Sequence, residues 1–447
     1  WLESLCFVNM KCIKMLKEFA YSKSSNGAEL KIIGEGDLHS IDQVLVFDKE
    51  TSLGKLKLER CPPLELKHLL MLTSLRTLIV KESVGLVGPL GGGQSDVELQ
   101  LPVEYIKIEN LNGNTGEELT DLLPHPPKLS KLEIRECKNI KKLVVGVDVQ
   151  QTTSEASTSK LFPTHLCDSL RELEFDQCPE LVLVEPPTLV PGGGWLQALR
   201  SLQRLSIKYC PKFLSTFSFS RHLFPSSLQF LELVGVQGMG TLEPLSNLSS
   251  LTTLKLHGCG EDLKCHGLWS LLTTGGQLNE LVVRGSPRFF ADWDPNPRRA
   301  LEDAEGGEEQ QTQLVSSTLH ELETDDVMGL LSAPICSFLS SSLTKLEFCG
   351  NHKIVGFTRG QEEAFDLLTS LQELWFWGCD KLEHLPAGLN KLTNLKRLWI
   401  WWCPALRSLP NGGLPSSLRE LNVKDCGNEE LTKQCRKLMG TIPKIIL

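Results

Sequence analysis

Apolar and polar residues recur along the chain in one nine-residue pattern, LxxLxLxxC, with apolar side chains at positions 1, 4 and 6 and a small residue at position 9. Copies that close on cysteine begin at Leu53, Leu129, Leu170, Leu202, Leu251, Leu371, Leu395 and Leu418. They end at Cys61, Cys137, Cys178, Cys210, Cys259, Cys379, Cys403 and Cys426. Six weaker copies begin at Leu75, Val103, Leu228, Leu278, Leu319 and Leu343, and degenerate ones at Leu2 and Ile41. Side chains alternate along a strand, so positions 4 and 6 share one face while 3, 5 and 7 take the other. The first face reads as core and the second as open. One copy cannot bury its leucines alone, so neighbours must stack, with strands about 4.8 Å apart. The pattern predicts an α/β repeat fold over residues 1–447, a leucine-rich-repeat solenoid of about 14–16 irregular repeats. In such a horseshoe the parallel β-sheet lines the concave face, and short helices, 3₁₀ turns and loops line the convex one. Residues 1–50 are read as degenerate N-terminal repeats and 427–447 as a C-terminal cap.

Between copies the chain must return along the other side. Leucines spaced by three, as at Leu69, Leu72 and Leu75 or Leu389, Leu392 and Leu395, fit single 3₁₀ turns. Copy starts lie 22 to 41 residues apart. The longer gaps place surface loops at 88–93, 147–160, 186–194 and 290–313, the last acidic. Asn428 is expected to N-cap a helix that carries Leu431, Cys435 and Leu438 on one face and stops at Gly440.

Composition narrows the function. Lys and Arg number 46 against 55 Asp and Glu, a net charge of −9 with no basic run, which disfavours nucleic acid. No stretch is long and apolar enough to span a membrane. Of fifteen cysteines, eight are accounted for by one repeat position, where in-register side chains point the same way rather than at each other. That usage fits a reduced compartment, the cytoplasm, with the nucleus as a second location. The chain starts at Trp1, without an initiator methionine, and reads as a piece of a longer protein.

Candidate chemistry is thin. His257, Cys259, Cys265 and His266 fall within ten residues but match no zinc-finger spacing, and Cys259 already has a structural place. Asp292, Asp294 and Asn296 imitate the start of a calcium loop, yet Pro297 stands where the turn needs glycine. No nucleophile elbow or phosphate loop occurs. No metal, cofactor or catalytic residue is therefore assigned, and an enzyme is not expected.

The open positions are more informative, because the core does not dictate them. Trp375 and Trp377 occupy positions 5 and 7 of one copy, and Trp399, Trp401 and Trp402 occupy positions 5, 7 and 8 of the next, so five of nine tryptophans fall in one patch. Exposed apolar patches mark interaction sites, and tryptophan is enriched among binding hot spots. Glu373, Arg397 and Lys424, with Glu420 and Asp425, would supply a polar rim. The same tryptophans could instead cover one another. Farther along, Glu133, Arg135, Glu174, Asp176, Glu232, Lys255, His257, Arg284, Glu323 and Asp325 read as a solvated, mixed face.

CPxLxxLP-like continuations such as Cys403-Pro404 through Leu409-Pro410, LTSL before strands, and the tail from Glu429-Glu430-Leu431 through Gly440-Thr441-Ile442-Pro443 give the chain a family likeness. It resembles the C-terminal region of plant intracellular nucleotide-binding leucine-rich-repeat immune receptors, closest to the coiled-coil class of grasses. The resemblance implies recognition of a pathogen or insect effector, or of a guarded host protein. It also implies an autoinhibitory contact with the receptor's own nucleotide-binding domain. The signalling and nucleotide-binding domains of such a receptor are absent from this chain. The substrate-recognition arm of an F-box ubiquitin ligase, whose repeats also end in cysteine, is the alternative.

Overall fold

The computed structural model describes residues 5–8, 16–24, 27–34, 45–47, 53–62, 64–65, 69–83, 87–88, 100–111, 119, 122–143, 165–183, 195–215, 223–273, 275–295 and 316–447. The chain divides into two compact units, Trp1–Gly238 and Met239–Leu447. In the first, β1 (Leu16–Ser24) folds back antiparallel on β2 (Gly27–Gly34). From β2 a parallel ladder runs through β3 (Leu53–Glu59), β4 (Thr77–Lys81), β5 (Tyr105–Glu109) and β6 (Lys131–Arg135). It continues through β7 (Glu172–Asp176), β8 (Arg204–Lys208) and β9 (Phe230–Val234).

The second unit repeats the arrangement with β10 (Thr253–His257), β11 (Glu280–Arg284), β12 (Glu321–Thr324), β13 (Lys345–Cys349) and β14 (Glu373–Trp377). It ends in β15 (Arg397–Trp401), β16 (Glu420–Lys424) and β17 (Lys444–Ile446). All fourteen copies counted in the sequence form strands of these ladders, and each unit is a leucine-rich-repeat solenoid.

Register makes the core continuous. Leu374 pairs with Leu398 and Phe376 with Ile400, position on position, so within each unit positions 4 and 6 form essentially fully buried rows, apolar except at Thr324. A slip of one residue would put those rows on the open face. The return segments use the leucine triplets as expected: Leu392 N–H donates to Leu389 O and Leu395 N–H to Leu392 O, both at 3.0–3.1 Å, closing 3₁₀ turns. The helix Glu429–Lys437 is N-capped by Asn428, whose side chain accepts from Glu430 and Leu431 N–H.

Two positions of the repeat do more than the template shows. At position 8 the backbone is left-handed in thirteen of the fourteen counted copies, by glycine in five and by larger residues such as Arg60, Tyr209 and Trp402 in the others. In ten copies this turn aims the position 8 N–H at the position 7 carbonyl of the next strand, as in Gly378 to Trp401 and Trp402 to Lys424, and carries the ladder one step past the strand; Gly285 N–H donates to the Asp325 carboxylate instead. At position 9 the thiol donates back to the position 7 carbonyl of its own copy, at 3.3 Å in Cys61 and 3.4 Å in Cys403. In several copies it also reaches the preceding strand, as Cys426 does to Ile400 O. Ser83 does the same job with a hydroxyl. Position 9 therefore wants a small donor, and cysteine also tolerates complete burial.

Three features depart from the sequence reading. The degenerate copies at Leu2 and Ile41 do hold strands, Leu5–Val8 and Leu45–Phe47, but these pair antiparallel with each other, off the ladder. The strand before β3 is instead β2, which the template misses because Ala28 stands opposite the leading leucine, Leu53, and no cysteine follows. Phe290, taken as the start of a surface loop, is 2% exposed, in edge-to-face contact with Phe289 and beside Trp293. Asn296 and the acidic stretch 302–309 lie outside the described residues.

Candidate protein-recognition surface

The open face of the second unit is built from three rows of side chains that the register lines up. The position 5 row runs Glu323, Glu347, Trp375, Trp399, Asn422. The position 7 row carries Cys349, Trp377, Trp401 and Lys424. β-Branched and aromatic residues suit such a pleated surface, so tryptophan here does not compete with the fold.

The structure brings all five tryptophans together. Trp375 and Trp399 stack with centroids 4.2 Å apart at 20°, Trp399 and Trp401 lie at 5.1 Å, and Trp377 and Trp402 at 5.4 Å. Four of the rings are half-buried by one another, whereas Trp402, at the left-handed position 8, is 51% exposed. Mutual cover and exposure are thus both present: the rings form a rigid platform whose outer faces remain open. Rigid aromatic area suits recognition because little side-chain entropy is lost on contact.

Polar groups complete the platform. Trp401 Nε1 donates to Asn422 Oδ1 at 3.0 Å. The indole N–H groups of Trp375 and Trp399 are buried without a partner among the described residues. Lys345 Nζ stands 5.2 Å over the Trp375 ring and the Arg284 guanidinium 5.5 Å over Trp377, both in cation–π range. Of the rim residues, Arg397 bridges Glu373 at 2.5 Å and Glu420 at 4.0 Å, while Lys424 is exposed. A slot of about 140 Å³ opens between the rows, lined by Arg284, Glu347, Trp375, Trp377, Trp399 and Trp401. Sequence reading did not single out Glu347; its signal is that it holds position 5 in the copy next to Trp375.

The open face of the first unit differs in kind. Its charges neutralise one another across strands. Lys131 and Arg135 close on Glu133, Arg135 on Glu174, and Lys208 on Glu232, all between 2.9 and 3.3 Å. Glu133 is 5% exposed within that network. The face expected to be solvated and mixed is self-paired there. Among the described residues no three His, Cys, Asp or Glu side chains converge, and Cys259 is engaged in the strand-end turn; the calcium-loop imitation runs into Asn296, outside them. No helix among the described residues is long and apolar enough to cross a membrane.

No protein-family model matches the chain, and no curated protein matches it. Among solved structures, a leucine-rich-repeat protein of Leptospira interrogans is similar over 86% of this chain and 95% of its own, at 15% identity and a TM-score of 0.38. An internalin from Listeria monocytogenes is similar over 90% of this chain and 86% of its own, at 16% identity and 0.36. TLR13, in its complex with ssRNA13, is similar over 90% of this chain and 69% of its own, at 14% identity and 0.30.

Proposed function

We propose that the chain is a protein-recognition scaffold rather than an enzyme, and that its principal contact surface is the tryptophan platform of β14 and β15. The carrying observation is Trp402. A left-handed backbone costs a non-glycine residue about 1–2 kcal/mol, and the copies ending β10, β11, β13 and β14 use glycine there. Trp402 packs against Trp377 yet leaves half of its surface open there, apolar area that is available to a partner.

The sequence likeness supports a finer reading: the recognition and autoinhibitory region of a plant intracellular immune receptor. Its partners would be a pathogen or insect effector, or a guarded host protein, and the receptor's nucleotide-binding domain. Alanine at Trp399 and Trp401 together is expected to weaken partner capture by roughly 30-fold or more, the loss expected from a single hot-spot truncation of about 2 kcal/mol being the lower bound. The measurement is pulldown of candidate effectors and of the receptor's remaining domains, beside in-plant signalling of the full receptor. Wild-type capture and wild-type signalling by a folded variant would overturn the proposal.

A further inference from the structure

Six glutamates occupy positions 3 and 5 of the second unit's strands, and five are neutralised. Glu280 pairs with Lys255, Glu321 with Lys345, Glu323 with Arg284, Glu373 with Arg397, and Glu420 with Lys444. Glu347 alone of the six has no ion pair or hydrogen bond among the described residues. Its natural cation, Arg284, is drawn away by Glu323, and Lys345 by Glu321. What surrounds Glu347 is the slot of about 140 Å³ walled by Trp375, Phe376, Trp377, Trp399 and Trp401, with Arg284 at its side.

We propose that this slot receives an arginine side chain from the protein partner, with its guanidinium stacked on indole and its charge neutralised by Glu347. This deepens the proposed function and rests on its reading of the platform as a contact surface. Three properties select the ligand. The half-buried carboxylate is the one acidic group lining the slot and forms no ion pair with Arg284 or Lys345, whose charges offset its own only in part, and its sign calls for a cation. Burial, then repulsion from Glu323, already holds its carboxyl above the usual range, so an incoming cation relieves an existing cost. Flat indole walls suit a planar guanidinium, which stacks and forms hydrogen bonds in its own plane, better than a compact ammonium ion.

The test uses the full chain labelled with 5-fluorotryptophan and followed by fluorine NMR. The probe is N-acetyl-arginine amide, and N-acetyl-norleucine amide is its uncharged counterpart. The expected result is a saturable shift of the Trp375 and Trp377 resonances with the arginine probe only, and at least a fivefold loss of affinity in Glu347→Gln at unchanged thermal unfolding. Equal response to both probes, or full affinity in Glu347→Gln, overturns the arginine slot. A shift with norleucine alone also overturns it, yet leaves the platform standing as an apolar contact surface, so the two readings fail separately.

Discussion

Position 8 shows how one residue's backbone conditions its neighbour. Glycine is free to adopt the left-handed region, and any other residue there carries a local cost. At Gly285, with φ of +77°, a Cβ would also approach the backbone of Gly258 in the adjacent copy to 3.1 Å. Gly285→Ala is therefore expected to destabilise by about 2 kcal/mol, the left-handed penalty with some crowding added. The reverse change at an exposed site, Tyr209→Gly, is expected to stabilise by up to about 1 kcal/mol. Urea midpoints of both variants check this pair, and like signs would refute the account. Position 8 was invisible in the sequence because its occupants range from glycine through Arg60 to Trp402. What they share is a dihedral angle, and a residue template does not encode it.

At the level of the element, the copy beginning at Leu319 is the exception that explains the rest. Its position 8 is Asp326, with φ of −87° rather than a positive value. The carboxylate instead accepts from Gly329 N–H at 2.9 Å, starting the helix Val327–Leu330, and from Phe290 N–H at 2.8 Å. One buried side chain thus caps a helix and pins the start of the insertion that precedes its own strand. Asp326→Ala removes both acceptors and is expected to cost roughly 2–3 kcal/mol. Chemical denaturation, with hydrogen exchange at Phe290 as the local reporter, measures it; an unaltered midpoint would show that the two contacts are incidental. The fourteen strands were legible because positions 4 and 6 are apolar in every copy but one, where Thr324 holds position 6. β2 and β17 were not, since their neighbours supply the pattern that their own sequences lack. Spacing placed the five tryptophans on one face, but ring orientation, and the unpaired state of Glu347, depend on which way Arg284 and Lys345 lean.

Across the whole molecule most of the described buried thiols shift the same way. Burial pushes Cys61, Cys426 and Cys435 up to about 11 from an ordinary value near 9, and Cys137 and Cys336 up to about 12. The native state therefore favours the neutral thiol. Its contribution is complete below pH 9 and is lost as pH rises from about 9 through 11 to 12. Under reducing conditions the urea midpoint should be level up to pH 9 and fall steeply above it; a midpoint independent of pH across that window would mean that the thiols are not linked to folding. The turn that joins position 8 of one copy to position 7 of the next has a wider effect. It ties the end of most nine-residue blocks to the next strand, while the chain between blocks varies so that copy starts lie 22 to 41 residues apart. The fold therefore separates inheritance of its frame from inheritance of its contacts. Insertions can accumulate on the return side and substitutions at positions 3, 5 and 7 without either disturbing the other, so a lineage can change its target in single steps and never pass through an unfolded intermediate.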